Sequence, residues 1–128
     1  MNNTEKIITE IKEFHRDIET WFHGEDDQET LYKKLISGFN EDFKMITGNS
    51  DTITLAAFSE WLPGTYGKFP DRSIILEDIE VQTTEYHGLA SYIEIQITGD
   101  AVTRRKSSAV FLIRGKRAYW LHLIENWI

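Results

Sequence analysis

The chain has 128 residues, 41% hydrophobic and 27% charged, with a formal net charge of -7. That balance is ordinary for a soluble globular protein, and the length suits one domain, residues 1–128, able to bury a core without covalent staples. The absence of cysteine excludes disulfides, thiolate metal sites and cysteine nucleophiles, and the acidic excess would repel a phosphate backbone, so no nucleic-acid partner is expected.

The first residues, Met1 to Lys6, carry no basic segment followed by an apolar one. No apolar run approaches the ~20 residues of a bilayer span. A cytoplasmic protein with no membrane contact is the expectation. Ile7, Ile11, Phe14, Ile18, Trp21 and Phe22 then recur at three- and four-residue intervals, which predicts a helix over residues 4–22. Asn2 or Asn3 can cap its start, and Gly24 can end it. After a polar linker, Leu31, Leu35, Ile36 and Phe39 mark one face of a shorter second helix. Residues 41–47 alternate, with Phe43 and Met45 opposite Asp42 and Lys44, and read as a strand. A turn at Gly48-Asn49-Ser50 leads to Thr54, the N-cap of a third helix with Leu55, Phe58 and Leu62 on its face. Pro63-Gly64 ends that helix, and residues 65–72 read as a loop carrying Tyr66 and Phe69.

The rest reads as strand. Ile75, Ile79, Val81 and Thr83 alternate with Asp78, Glu80 and Gln82, and a turn is expected at His87-Gly88. Ile93, Ile95 and Ile97 then alternate with Tyr92, Glu94 and Gln96. Gly99-Asp100 turns the chain into a last hairpin with its own turn at Gly115-Lys116. Short turns between neighbouring strands make an antiparallel meander, and helices before strands give an α+β class.

This layout resembles the nuclear transport factor 2-like superfamily, which includes ketosteroid isomerase and the SnoaL-like cyclases. Phe14-His15 followed by Trp21-Phe22 and Gly24 resembles the first helix of an uncharacterised SnoaL-like group. Trp120-Leu121-His122-Leu123-Ile124-Glu125-Asn126-Trp127 resembles its closing strand, and Arg104 through Phe111 the strand before it. The chain departs where Ile124 stands for that group's second histidine and Asn126 for its threonine. The resemblance implies a cone: a curved antiparallel sheet wrapped around a long first helix, with two further short helices and a pocket between helix and sheet. It also implies a homodimer built on the outer sheet face.

Within such a cone His15, on the apolar stripe of helix 1, is a candidate pocket acid or base, its pKa lying near neutrality; a core histidine bonded to a carbonyl is the structural alternative. His122 shares a strand face with Trp120, Ile124 and Asn126, opposite Glu125, and is either a cavity or an interface residue. Isomerase chemistry in this fold needs a buried carboxylate and oxyanion donors. Asp42 is the candidate base, against a solvated role, and Tyr66 and Tyr32 are candidate donors. Trp21, Trp61, Trp120 and Trp127 could line an apolar cavity or fill core and interface. The four histidines lack metal-ligand spacing, and no phosphate-binding glycine loop or GxSxG elbow occurs, so no metal or cofactor is expected. The expectation is a cavity for a small, mostly apolar molecule, with His15, Tyr66, Trp61, Trp120 and His122 around it. A cofactor-independent isomerase, cyclase or hydrolase using His15, Asp42 or His122, or a protein-interaction module, is the alternative.

Overall fold

The computed structural model describes residues 1–128. Helix α1 spans Asn3–His23, and its ends are those the sequence marks. The Asn2 side chain accepts the Glu5 N–H, and Gly24, at φ 77°, turns its own N–H back to the Thr20 and Trp21 carbonyls. Asp27 caps α2 (Gln28–Ser37) by accepting from the Thr30 N–H. Phe39, expected on the face of α2, instead opens strand β1 (Phe39–Ile46), because Gly38 ends the helix before it. A short strand that the sequence did not signal, β2 (Thr52–Thr54), returns antiparallel along β1. Thr54 caps α3 (Leu55–Trp61), which runs into a 3-10 turn over Leu62–Thr65.

Four long strands follow: β3 (Arg72–Thr83), β4 (His87–Thr98), β5 (Ala101–Arg114) and β6 (Arg117–Trp127). The sheet order is β2-β1-β6-β5-β4-β3. Every pairing is antiparallel except β1 with β6, which is parallel, so the curved sheet is mixed and does not close. With α1 against the concave side, this is the expected α+β cone.

Ile7 and Ile11 of α1 are fully buried with Tyr92, Phe111, Ala118 and Trp120 of the sheet. A second cluster gathers Ile18, Trp21 and Phe22 against Leu31, Leu35 and Leu62. Each such large apolar side chain contributes about 1.5–3 kcal/mol. Glu10 adds a polar clasp: Trp120 Nε1 donates to its Oε2 at 3.2 Å and Arg117 Nε to its Oε1 at 3.1 Å. Burial pushes the Glu10 carboxyl up, and Arg117 pulls against that push.

Three strand readings change. The turn expected at His87-Gly88 lies at residues 84–86, and Gly88 is inside β4, where a Cβ would collide with the Ile7 side chain. In β3 a bulge at Asp78, φ 55°, shifts the register between Glu77 and Glu80. Ile79 and Val81 therefore face α1 while Ile75 faces out, 44% exposed. In β6 a second bulge separates the pairs Val110–His122 and Phe111–Trp120. The extra residue moves Trp120 to the concave face with Leu123 and Glu125, and leaves His122 on the convex face with Ile124 and Asn126.

Candidate functional site

Helix α1, strand β1, helix α3 and the concave faces of β4 to β6 enclose a cavity of about 570 Å³. Of its 23 lining residues 14 are hydrophobic, and Phe14, Phe22, Phe39, Phe43 and Phe58 form much of the wall. Phe14, Phe39 and Trp120 meet edge-on or stacked, with ring centroids 5.4 to 6.1 Å apart. Two exposed tryptophans, Trp61 at 53% and Trp127 at 46%, also line the cavity and mark its mouth. Trp127 is fixed there by a 3.0 Å hydrogen bond from Nε1 to Asn49 Oδ1. It lies across Gly48, where any Cβ would strike the indole.

The polar side of the cavity comes from adjacent positions on three strands. Glu94 of β4 pairs with Arg105 of β5, and Arg105 with Trp127 of β6; two residues along, Tyr92 pairs with Ser107 and Ser107 with Glu125. His15 reaches this row from α1. Its Nδ1 lies 2.7 Å from the Ile11 carbonyl, which can only accept, so Nδ1 carries a proton. Its Nε2 lies 3.1 Å from Glu94 Oε1. The other Glu94 oxygen accepts from Gln96 Nε2 at 2.7 Å.

Burial alone would push the His15 pKa down, but the bond and charge of Glu94 and the Ile11 carbonyl raise it above 6.5. Burial likewise works against the Glu94 anion, yet His15, Arg105 and Gln96 bring that carboxyl down to about 2. Both shifts favour an imidazolium paired with a carboxylate, each almost wholly buried.

Glu125 behaves differently. Burial raises its carboxyl, opposed by Arg105 and reinforced by the Glu94 charge. Its only side-chain partner is Arg105 Nη1, 3.4 Å from each oxygen. That guanidinium also sits over the Trp127 ring, 4.6 Å from its centroid, and its Nε has no partner. The Tyr92 hydroxyl and Ser107 Oγ are buried without partners too, and burial drives the phenol pKa well above 10. No group of three or more His, Asp or Glu side chains converges as a metal site would.

Of the residues singled out from sequence, His15, Trp61, Trp120 and Trp127 line the cavity. His15 is also bonded to a carbonyl, so its two readings coincide. Five lie elsewhere, Trp21 among them in the second core cluster. The β6 bulge puts His122 on the convex face. Asp42 is exposed on β1, beside rather than within the lining. The Tyr66 hydroxyl donates to the Gly24 and Asp26 carbonyls and pins the end of α1, with its ring 4.9 Å from Trp21. Tyr32 similarly donates to the Ser59 carbonyl.

The residues missed, Glu94, Arg105 and Glu125, have one signal in common. Each stands on the face of its strand that also carries a large aromatic: Tyr92 beside Glu94, Phe111 beyond Arg105, Trp127 beside Glu125.

No protein-family model matches the chain, and no curated protein matches it. Solved structures do. An NTF-2-like protein of unknown function from Pseudomonas aeruginosa is 25% identical with a TM-score of 0.90, over 96% of this chain and 98% of that one. An NTF2-like protein with a cystatin-like fold from Novosphingobium aromaticivorans is 12% identical with a TM-score of 0.77, over 98% of this chain and 82% of that one. A protein provisionally described as a ketosteroid isomerase, from Parabacteroides distasonis, is 13% identical with a TM-score of 0.70, over 99% of this chain and 89% of that one.

Proposed function

We propose that this chain, which has the nuclear transport factor 2-like fold, binds a small, mostly apolar molecule in the cavity between α1 and the sheet. One observation carries the reading: a cavity of about 570 Å³ walled by aromatic rings, with a buried ionic cluster along one side. Side chains that merely filled a core would leave no such volume, since protein interiors pack to crystal-like density. His15, Trp61 and Trp120 contribute to the wall, and Arg105, Glu125 and Tyr92 orient the ligand. A thermal-stability screen against apolar metabolites tests this. A ligand at ~100-fold its dissociation constant adds about 2.7 kcal/mol, a shift of several degrees. No shift with any apolar compound would reject the reading.

A second reading, cofactor-independent acid–base catalysis, is favoured by one group. Glu125 is a cavity carboxyl that burial makes more basic than an ordinary one, which suits it to take a proton from carbon or oxygen. Proton exchange at the α-carbon of a bound ketone in deuterated water would support it, and loss of that exchange in Glu125→Gln would assign the base.

The convex sheet face is the proposed homodimer surface. Ile75, Leu89, Val102 and Ile124 stand exposed on it, and the half-buried His122 shares it. Exposed apolar side chains on a sheet face are what isologous pairs bury.

A further inference from the structure

We propose that the cavity's ligand is an amphipathic carboxylic acid, bound as its carboxylate against Arg105 with its apolar body along the aromatic wall. This rests on the cavity reading above and goes beyond it by naming the head group.

The argument begins with donors that have nothing to donate to. A guanidinium offers five N–H groups in a planar fork. Only Nη1 of Arg105 makes hydrogen bonds, both 3.4 Å long. Charge-assisted bonds ordinarily close to ~2.7–2.9 Å, so Glu125 leaves this fork largely unfilled. Nε is buried and bonded to nothing. A buried polar group left unmatched is costly, and more so when it is charged.

No other protein group supplies the missing anion. Glu94 stands opposite Arg105 in the sheet register, but His15 and Gln96 already take its two oxygens, at 3.1 and 2.7 Å. His15 and Glu94 then cancel as charges. Arg105 feels the Glu94 charge but hydrogen-bonds only to Glu125, and burial favours the uncharged form of that carboxyl.

The surroundings suit an acid with an apolar body. Trp127 covers one face of the guanidinium, and the partly buried setting strengthens a contact with an anion. The phenylalanine wall lines the same cavity. A planar carboxylate accepts two N–H bonds from such a fork, whereas an alcohol or amide of the same shape brings no charge.

Isothermal titration near neutral pH with matched pairs tests this. The probes are naphthalene-2-carboxylate against naphthalene-2-carboxamide, and decanoate against decanamide. The carboxylate of at least one pair is expected to bind at least ~10-fold tighter than its amide, the effect of one charge-assisted bond. In Arg105→Gln that ratio should fall to near one. In Glu125→Gln, which removes the competing carboxylate, it should grow. Amides that bind as well as their acids would overturn the head-group assignment and leave the cavity reading standing. If none of the four probes binds while other apolar compounds shift the melting curve, the assignment also fails. The wild-type ratio decides the matter even if a variant does not fold.

Discussion

At the level of single residues, His15 and Glu94 set how stability follows pH. The His15 pKa is raised in the folded state, so its contribution is complete below about 6.5 and is lost as pH rises through the folded value. The Glu94 pKa is lowered to about 2, so its contribution is complete above 4.5 and is lost as pH falls toward 2. The pair is therefore worth most between about pH 4.5 and pH 6.5. Glu125, raised by burial, also lowers stability as pH rises. Removing one partner of a buried pair costs about 3–5 kcal/mol. Glu94→Gln should lose on the order of 3 kcal/mol within that window and less once His15 has given up its proton at higher pH. Urea unfolding on both sides of the window checks this; an equal loss at high pH would show that the pair is not ionic.

The same residues show what the sequence could and could not say. His15 was legible because it falls on a helical apolar stripe with regular spacing. Glu94 was not. Tyr92, Glu94 and Gln96 alternate with Ile93, Ile95 and Ile97, and the isoleucines look like the face that meets the helix. In the folded chain the polar set faces the cavity, and the isoleucines face the convex side. A polar cavity wall inverts the pattern that normally separates core from solvent.

Among the elements, the helices were legible almost to the residue. Asn2, Asp27 and Thr54 each cap the helix they precede, because their short side chains satisfy N–H groups that the helix leaves free. Strand existence was legible too, but side was not. The bulges at Asp78 and beside Leu121 each reverse which residues face in, and neither leaves a trace in hydropathy. Gly88 was read as a turn residue because glycine usually marks one; here it makes room for Ile7. Gly88→Ala should therefore lift α1 from β4 and cost about 1–3 kcal/mol. Pairing it with Ile7→Val, which deletes the methyl nearest the new Cβ, should recover part of that loss in a double-mutant cycle. Strict additivity would mean that the two sites do not touch.

For the whole molecule, the convex face makes a prediction that needs no ligand. Gel filtration should give about twice the 15.0 kDa of one chain. Leu89→Glu with Val102→Glu should halve the apparent mass without unfolding the chain, since both side chains are more than half exposed in the single chain. A wild-type monomer would remove the convex face as an interface.

The parallel seam between β1 and β6 also bears on how the chain finds its shape. The strand that joins residues 39–46 to the rest of the sheet is the last of the six in chain order. The β3–β5 meander can assemble from neighbours in sequence, but α2, β1 and β2 have no ladder to join until residues 117–127 arrive. Contacts that far apart close slowly. During synthesis the open edge of β5 is a template for unwanted pairing, so a chaperone that shields that edge should raise the yield of native protein more than one that acts on the front half.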